Sequence, residues 1–148
     1  MKRVDRLQPV QKIVDDNERR LAEHFAAAER LLSGCEQKLK ELENYRNDYT
    51  HGFSQRAGGG IGARQLVDYQ AFMSRLNEAI KQQAQVTQQA RHEREVQFKR
   101  WQDAARRAKA LNHVMHNWQQ EELRVLNKRE QRDSDERAQR RRVTPHER

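Results

Sequence analysis

Several groups of residues in this chain have types and spacings that suggest chemistry. His113 and His116 fall on adjacent turns of any helix and could hold a metal from one side. Zinc sites need three or four ligands, and no third of the right type is near in sequence, so solvated helix histidines are the plainer reading. The run Gly58-Gly59-Gly60-Ile61-Gly62 invites comparison with a phosphate loop. It lacks the Gly-Lys-Ser/Thr ending and no strand precedes it, which leaves a flexible turn. Asp15 with Asp16, and Glu121 with Glu122, look like solvated faces. No Ser/His/Asp, Cys/His or paired-carboxylate arrangement can be assigned. The expectation is therefore a protein that is not an enzyme, with no catalytic residue, no cofactor and no metal.

Two further groups point to binding. Lys99, Arg100, Arg106, Arg107 and Lys109 flank Trp101. Cations with an aromatic between them can hold single-stranded nucleic acid through phosphate contacts and base stacking. The same residues also suit a charged outer face around a packed tryptophan, or a basic face for an acidic protein partner. Tyr45, Tyr49, Phe53, Tyr69 and Phe72 crowd on either side of the glycine run. They fit either simple packing or a protein-docking surface, since aromatic patches favour interfaces.

The elements that must position these residues are helical. Between Gly62 and Pro145 there is no glycine and no proline. Gln, Glu, Arg, Lys, Ala and Leu dominate that stretch, and these lose least on entering a helix. In the first half Leu21, Phe25, Ala28, Leu32, Cys35, Leu39 and Leu42 alternate spacings of four and three, which is a heptad seam. Leu7, Val10, Val14, Asn17 and Leu21 run out of phase with it, and a local irregularity is expected near Leu21. Pro9 is expected in the first helical turn, and Gly52 at the helix end. Gly62 can cap the next helix, with Gln65 in the place of a capping-box residue and Ile61 and Leu66 spaced as a hydrophobic staple.

The second helix opens on Leu66, Tyr69, Met73, Leu76 and Ile80. It thins over residues 81–97, where Ala84, Val86, Ala90 and Val96 sit among glutamines and charges. The seam recovers at Phe98, Trp101, Ala105, Ala108, Leu111, Met115 and Trp118. Two seams joined by a short loop predict an all-α fold, an antiparallel coiled-coil hairpin. It spans residues 1–148 as a single unit, with helix one about 8–53, the loop about 54–62, helix two about 63–140 and a frayed tail after Arg140-Arg141-Arg142. At about 1.5 Å per residue the second helix is much the longer. Either its C-terminal half overhangs, or the N-terminal segment extends partly beside it.

Composition sets the outer bounds. Of the residues, 35% are charged and 34% hydrophobic. The mean hydropathy is -1.27. That is too polar for a thick core but, with few prolines and a periodic stripe, too ordered in pattern for disorder. Cys35 is alone and sits on the seam as a small hydrophobe. No signal peptide and no spanning segment are visible, so a cytosolic protein is expected. The net charge of +8 is uneven: residues 104–148 hold 12 Lys+Arg against 7 Asp+Glu.

The segment Leu42-Glu43-Asn44-Tyr45-Arg46-Asn47-Asp48-Tyr49, the loop ending Gly60-Ile61, and Asp68-Tyr69-Gln70-Ala71-Phe72 with Leu76, Ala79 and Ile80 together resemble the flagellar FliJ family. Chain length, hairpin organisation, tryptophan in the second helix and a basic C-terminus fit as well, so the likeness covers nearly the whole chain. The resemblance implies a coiled-coil component of the bacterial flagellar type III export apparatus, similar in fold to the stalk subunit of rotary ATPases. It implies insertion into or beneath the export ATPase ring and promotion of ring assembly. It also implies contact with the cytosolic linker of the membrane-embedded export gate, and escort of flagellar export chaperones. Such a protein serves motility and chemotaxis from the cytoplasm, at the inner face of the membrane. The gate-binding patch it implies falls on Leu42, Tyr45, Tyr49, Phe72, Leu76 and Ala79. At the patch border Lys38 and Gln83 replace the Gln and His of the family pattern. A basic nucleic-acid-binding coiled coil and a plain scaffold rod stand as the rival readings.

Overall fold

Helix-forming residues fill this chain up to one cluster of glycines, and the backbone follows that punctuation. The computed structural model describes residues 2–143. It is all-α, with helix α1 over Arg3–Ala57 (55 residues) and helix α2 over Ala63–Val143 (81 residues). The expected frayed tail around Pro145 lies outside the described residues. At the turn, Gly59 N–H donates to the Arg56 carbonyl at 3.2 Å and Gly60 N–H to that of Ala57 at 3.1 Å. Gly60 takes φ +86°, a left-handed conformation that side chains disfavour, so the cluster needs glycine there. The Gly62 N–H donates to Gln65 Oε1 at 3.3 Å, and Leu66 N–H to the Gly62 carbonyl at 3.2 Å. Gly62 and Gln65 thus start α2 as a capping box would, with the glycine unable to return the side-chain half of the exchange.

Three expectations about α1 are corrected. Gly52 lies inside the helix, which continues to Ala57. An interior glycine costs only about 1 kcal/mol, and the extra turn stacks Phe53 on Tyr69 at 3.7 Å between ring centroids. The helix also begins before Pro9, at Arg3, and carries the proline inside it. Pro9 removes one backbone hydrogen bond, but Val4 is buried and the Arg3 guanidinium lies 5.0 Å from the centre of the Trp118 ring, which holds the first turn in place. Finally, the helix runs through Leu21 without interruption. The apparent phase conflict came from counting Val10 and Asn17. Val10 is exposed, and half-buried Gln11 and Glu18 carry the alternation of four and three from Leu7 through Val14 to Leu21.

The chain divides into two compact units. The first comprises residues up to Glu18 together with those from Asp103 onward; the second comprises Arg19–Gln102. In the second unit the two helices form an antiparallel hairpin. Leu76, Ile80, Gln83, Thr87 and Ala90 of α2 are buried, and Ala28 of α1 with them. Their spacing of four and three continues straight through the stretch that looked thin. Polar residues hold the seam there: Gln83 Nε2 and Thr87 Oγ1 both donate to the Cys35 carbonyl, at 3.1 and 3.3 Å. Thr87 Oγ1 also lies 2.8 Å from the Gln83 carbonyl. Nearer the other end of this unit, Phe25 stacks on Trp101 at 5.9 Å and tilts against Phe98 at 5.4 Å.

In the first unit Val4, Ala104, Ala108 and Met115 are buried, and Gln11 donates to Asn112. The N-terminal segment therefore runs beside α2 as far as Trp118. Lys2 lies beside Gln119 and Glu122, and residues 123–143 are exposed throughout.

Candidate protein-docking site at the turn

Tyr45, Tyr49 and Phe53 follow one another at intervals of four, so they share one side of α1. Tyr69 and Phe72 lie one turn apart on α2. Antiparallel pairing brings all five together. Tyr49 and Phe72 are 4.5 Å apart between ring centroids, Tyr45 and Phe72 6.1 Å, Tyr49 and Tyr69 5.7 Å, and Tyr45 and Tyr49 6.4 Å. Pairs at such separations contribute about 0.5–1.5 kcal/mol each beyond the area they bury. The cluster thus welds the turn end of the hairpin, and part of it remains outside: Tyr45 is 53% exposed.

The six residues singled out from the sequence are placed differently from one another. Tyr45, Tyr49 and Phe72 are in mutual ring contact. Leu42 and Ala79 are half-buried beside the seam, and Leu76 is buried in it at 7% exposure. Leu76 therefore supports the surface from beneath. Phe53 and Tyr69 belong to the same cluster, and their crowding around the glycine turn was the signal for them. Of the two border positions, Lys38 is exposed, while Gln83 is buried and bonded to the Cys35 carbonyl. On the rim, Arg46 Nη1 donates to Asn77 Oδ1 at 3.2 Å.

The other chemical candidates do not assemble. His113 and His116 are both exposed, and His113 Nε2 lies 3.4 Å from Asn117 Nδ2. Among the described residues no group of three or more His, Cys, Asp or Glu could hold a metal ion. Trp101 has its face against Phe25, with the ring planes 9° apart, so that face is taken and not free for a nucleobase. No helix among the described residues is long and apolar enough to cross a membrane.

Comparison with known proteins places this geometry in context. The family model described as "Flagellar FliJ protein" matches residues 1–145. The chain is 29% identical over 133 residues to a flagellar FliJ protein of Salmonella typhi, covering 88% of this chain and 86% of that one. It is 28% identical over 133 residues, with the same coverage, to a flagellar FliJ protein of Escherichia coli (strain K12). No solved structure matches.

Proposed function

The chain belongs to the FliJ family and so is a component of the bacterial flagellar export apparatus, and from that premise we propose that it works as a non-enzymatic stalk and escort. It promotes assembly of the export ATPase ring, couples the ring to the export gate by docking on the gate's cytosolic linker, and escorts export chaperones. It does so in the cytoplasm, peripherally associated with the inner membrane. Leu42, Tyr45, Tyr49, Phe72, Leu76 and Ala79 make or support the gate contact.

One observation carries the docking part. Tyr45 stays half outside although it touches two neighbouring rings, those of Tyr49 and Phe72. A seam needs one residue per turn; a surplus of rings beside it, partly wet, is what a protein interface uses as an anchor. Among the described residues no group of three or more His, Cys, Asp or Glu converges on one place.

The test is the double substitution Tyr45→Ala with Phe72→Ala in the full chain. Truncating interface aromatics commonly costs about 2 kcal/mol or more of binding. Binding to the gate's cytosolic region and swimming motility are expected to be lost. Helicity and ATPase binding are expected to persist, because the seam from Leu21 to Leu39 is untouched. Wild-type motility in a well-expressed, helical double variant would return these rings to a packing role. Tyr45→Ala alone, at an exposed position, separates docking from folding if the double variant unfolds.

A further inference from the structure

Pro9 lies inside α1. It has no N–H to give the Asp5 carbonyl four residues back, and its ring crowds that carbonyl. Residues 2–8 are therefore poorly tied to the rest of their own helix. What holds them is α2. Val4 is buried at 5% exposure and Leu7 is half-buried. The Arg3 guanidinium lies 5.0 Å from the centre of the Trp118 ring, and Lys2 lies beside Gln119 and Glu122. Past the proline, Gln11 donates to Asn112 across the two helices. Antiparallel pairing that sets Gln11 beside Asn112 and Arg3 beside Trp118 brings Leu7 opposite Met115. Met115 is 3% exposed, whereas Leu123, Val125 and Leu126 on the following turns of α2 are all exposed.

We propose that residues 2–8 form a releasable strap hinged at Pro9. Closed, the strap covers Met115 and half of Trp118. It lifts away while α1 from Gln11 onward stays on α2. Lifting it joins Met115 and Trp118 to Val125, one heptad past Trp118, and to Leu126 beside it, as one apolar stripe on α2. The contact is autoinhibitory in form: the chain's own first turns occupy a surface that is otherwise continuous and apolar. Its two ends are set by different chemistry. The hinge is a backbone defect, and the clasp is a cation on an aromatic face backed by one buried valine. None of the residues of the turn cluster takes part.

The experiment measures thiol alkylation by iodoacetamide in the full chain. Cys35→Ala removes the native thiol, and a single probe is placed at Met115→Cys or at Ala90→Cys. Both probe positions are buried, at 3% and 5% exposure. Met115→Cys is expected to react at least about tenfold faster, with a shallower dependence on urea, because only the strap has to open. Adding Leu76→Ala is expected to speed Ala90→Cys about thirtyfold or more and to leave Met115→Cys unchanged, since the open strap keeps the Leu76 contacts. Adding Pro9→Ala restores the missing donor and is expected to slow Met115→Cys about tenfold. Adding Arg3→Ala is expected to speed it about twofold to fivefold. Equal rates for the two probes, or equal acceleration of both by Leu76→Ala, would show α1 leaving α2 as a whole and overturn the strap. A Met115→Cys rate that Pro9→Ala leaves unchanged overturns the hinge. Circular dichroism checks each variant. If Leu76→Ala does not fold, the urea dependence decides in its place, and equally steep slopes for both probes overturn the strap.

Discussion

Tyr45 and Leu76 face the same end of the hairpin from opposite helices, and their surroundings assign them opposite work. Leu76 is 7% exposed and Tyr45 53%. Leu76→Ala should lower the free energy of unfolding by about 2–3 kcal/mol, because it opens a cavity in a seam only one residue deep. Tyr45→Ala should cost less, about 1 kcal/mol, the low end of what its two ring contacts contribute, because half of the side chain is already in water. Urea denaturation of the two variants checks the contrast, and equal losses would mean that Tyr45 is a packing residue. Binding losses on Leu76→Ala alone would therefore say little about docking. A heptad count alone cannot make this separation. It marks Leu76, Ala79 and Phe72 as neighbours, whereas side-chain direction decides which of them is wet.

At the scale of the elements, the turn was legible because glycine and proline act through the backbone, whatever packs around them. The cap at Gly62 and the run of glycines before it stand where their chemistry places them. Tertiary contacts outweigh local preference at Pro9 and Gly52. The seam between Ile80 and Phe98 is hidden from local pattern for a different reason. A search for apolar periodicity looks to Val86, which is outside, and passes over Gln83 and Thr87, which are inside. Those two are tolerated there because each finds the Cys35 carbonyl. The helical context of the glycines yields a paired prediction. A Cβ at Gly52 meets nothing within 4 Å, so Gly52→Ala should stabilise the protein by about 0.5–1 kcal/mol. Gly60→Ala should destabilise it by about 1 kcal/mol, since alanine must adopt the φ of +86°. Thermal melts that move in the same direction for both would contradict the turn geometry.

At the scale of the whole molecule, α2 outruns its partner. Residues 123–143 are exposed, including Leu123 at 55% and Leu126 at 48%. Local spacing supports the helix there: Asp133 with Arg137 and Glu136 with Arg140 are four apart, an arrangement worth about 0.2–0.5 kcal/mol per pair. No buried seam depends on the segment. Ending the chain after Glu122 should therefore leave the urea midpoint within the equivalent of about 1 kcal/mol of the full chain, while the helical circular-dichroism signal falls with the residues removed. A large fall in stability would mean that this stretch folds back on the rest. The sequence showed that helix two must be the longer. How far α1 runs beside it depended on Arg3 reaching Trp118, a contact between the two ends of the chain that no local pattern encodes.

Cys35 is the only thiol in the chain, and it stands half-buried where Gln83 and Thr87 close over its own carbonyl. The molecule thus carries a built-in clock for its own breathing. A maleimide reaches the half-buried thiol faster while α1 and α2 are apart at that level, so a change in labelling rate reports a change in opening. Comparing that rate in the free protein and in complexes, with no residue changed, would tell whether a partner clamps the hairpin shut or pries it open.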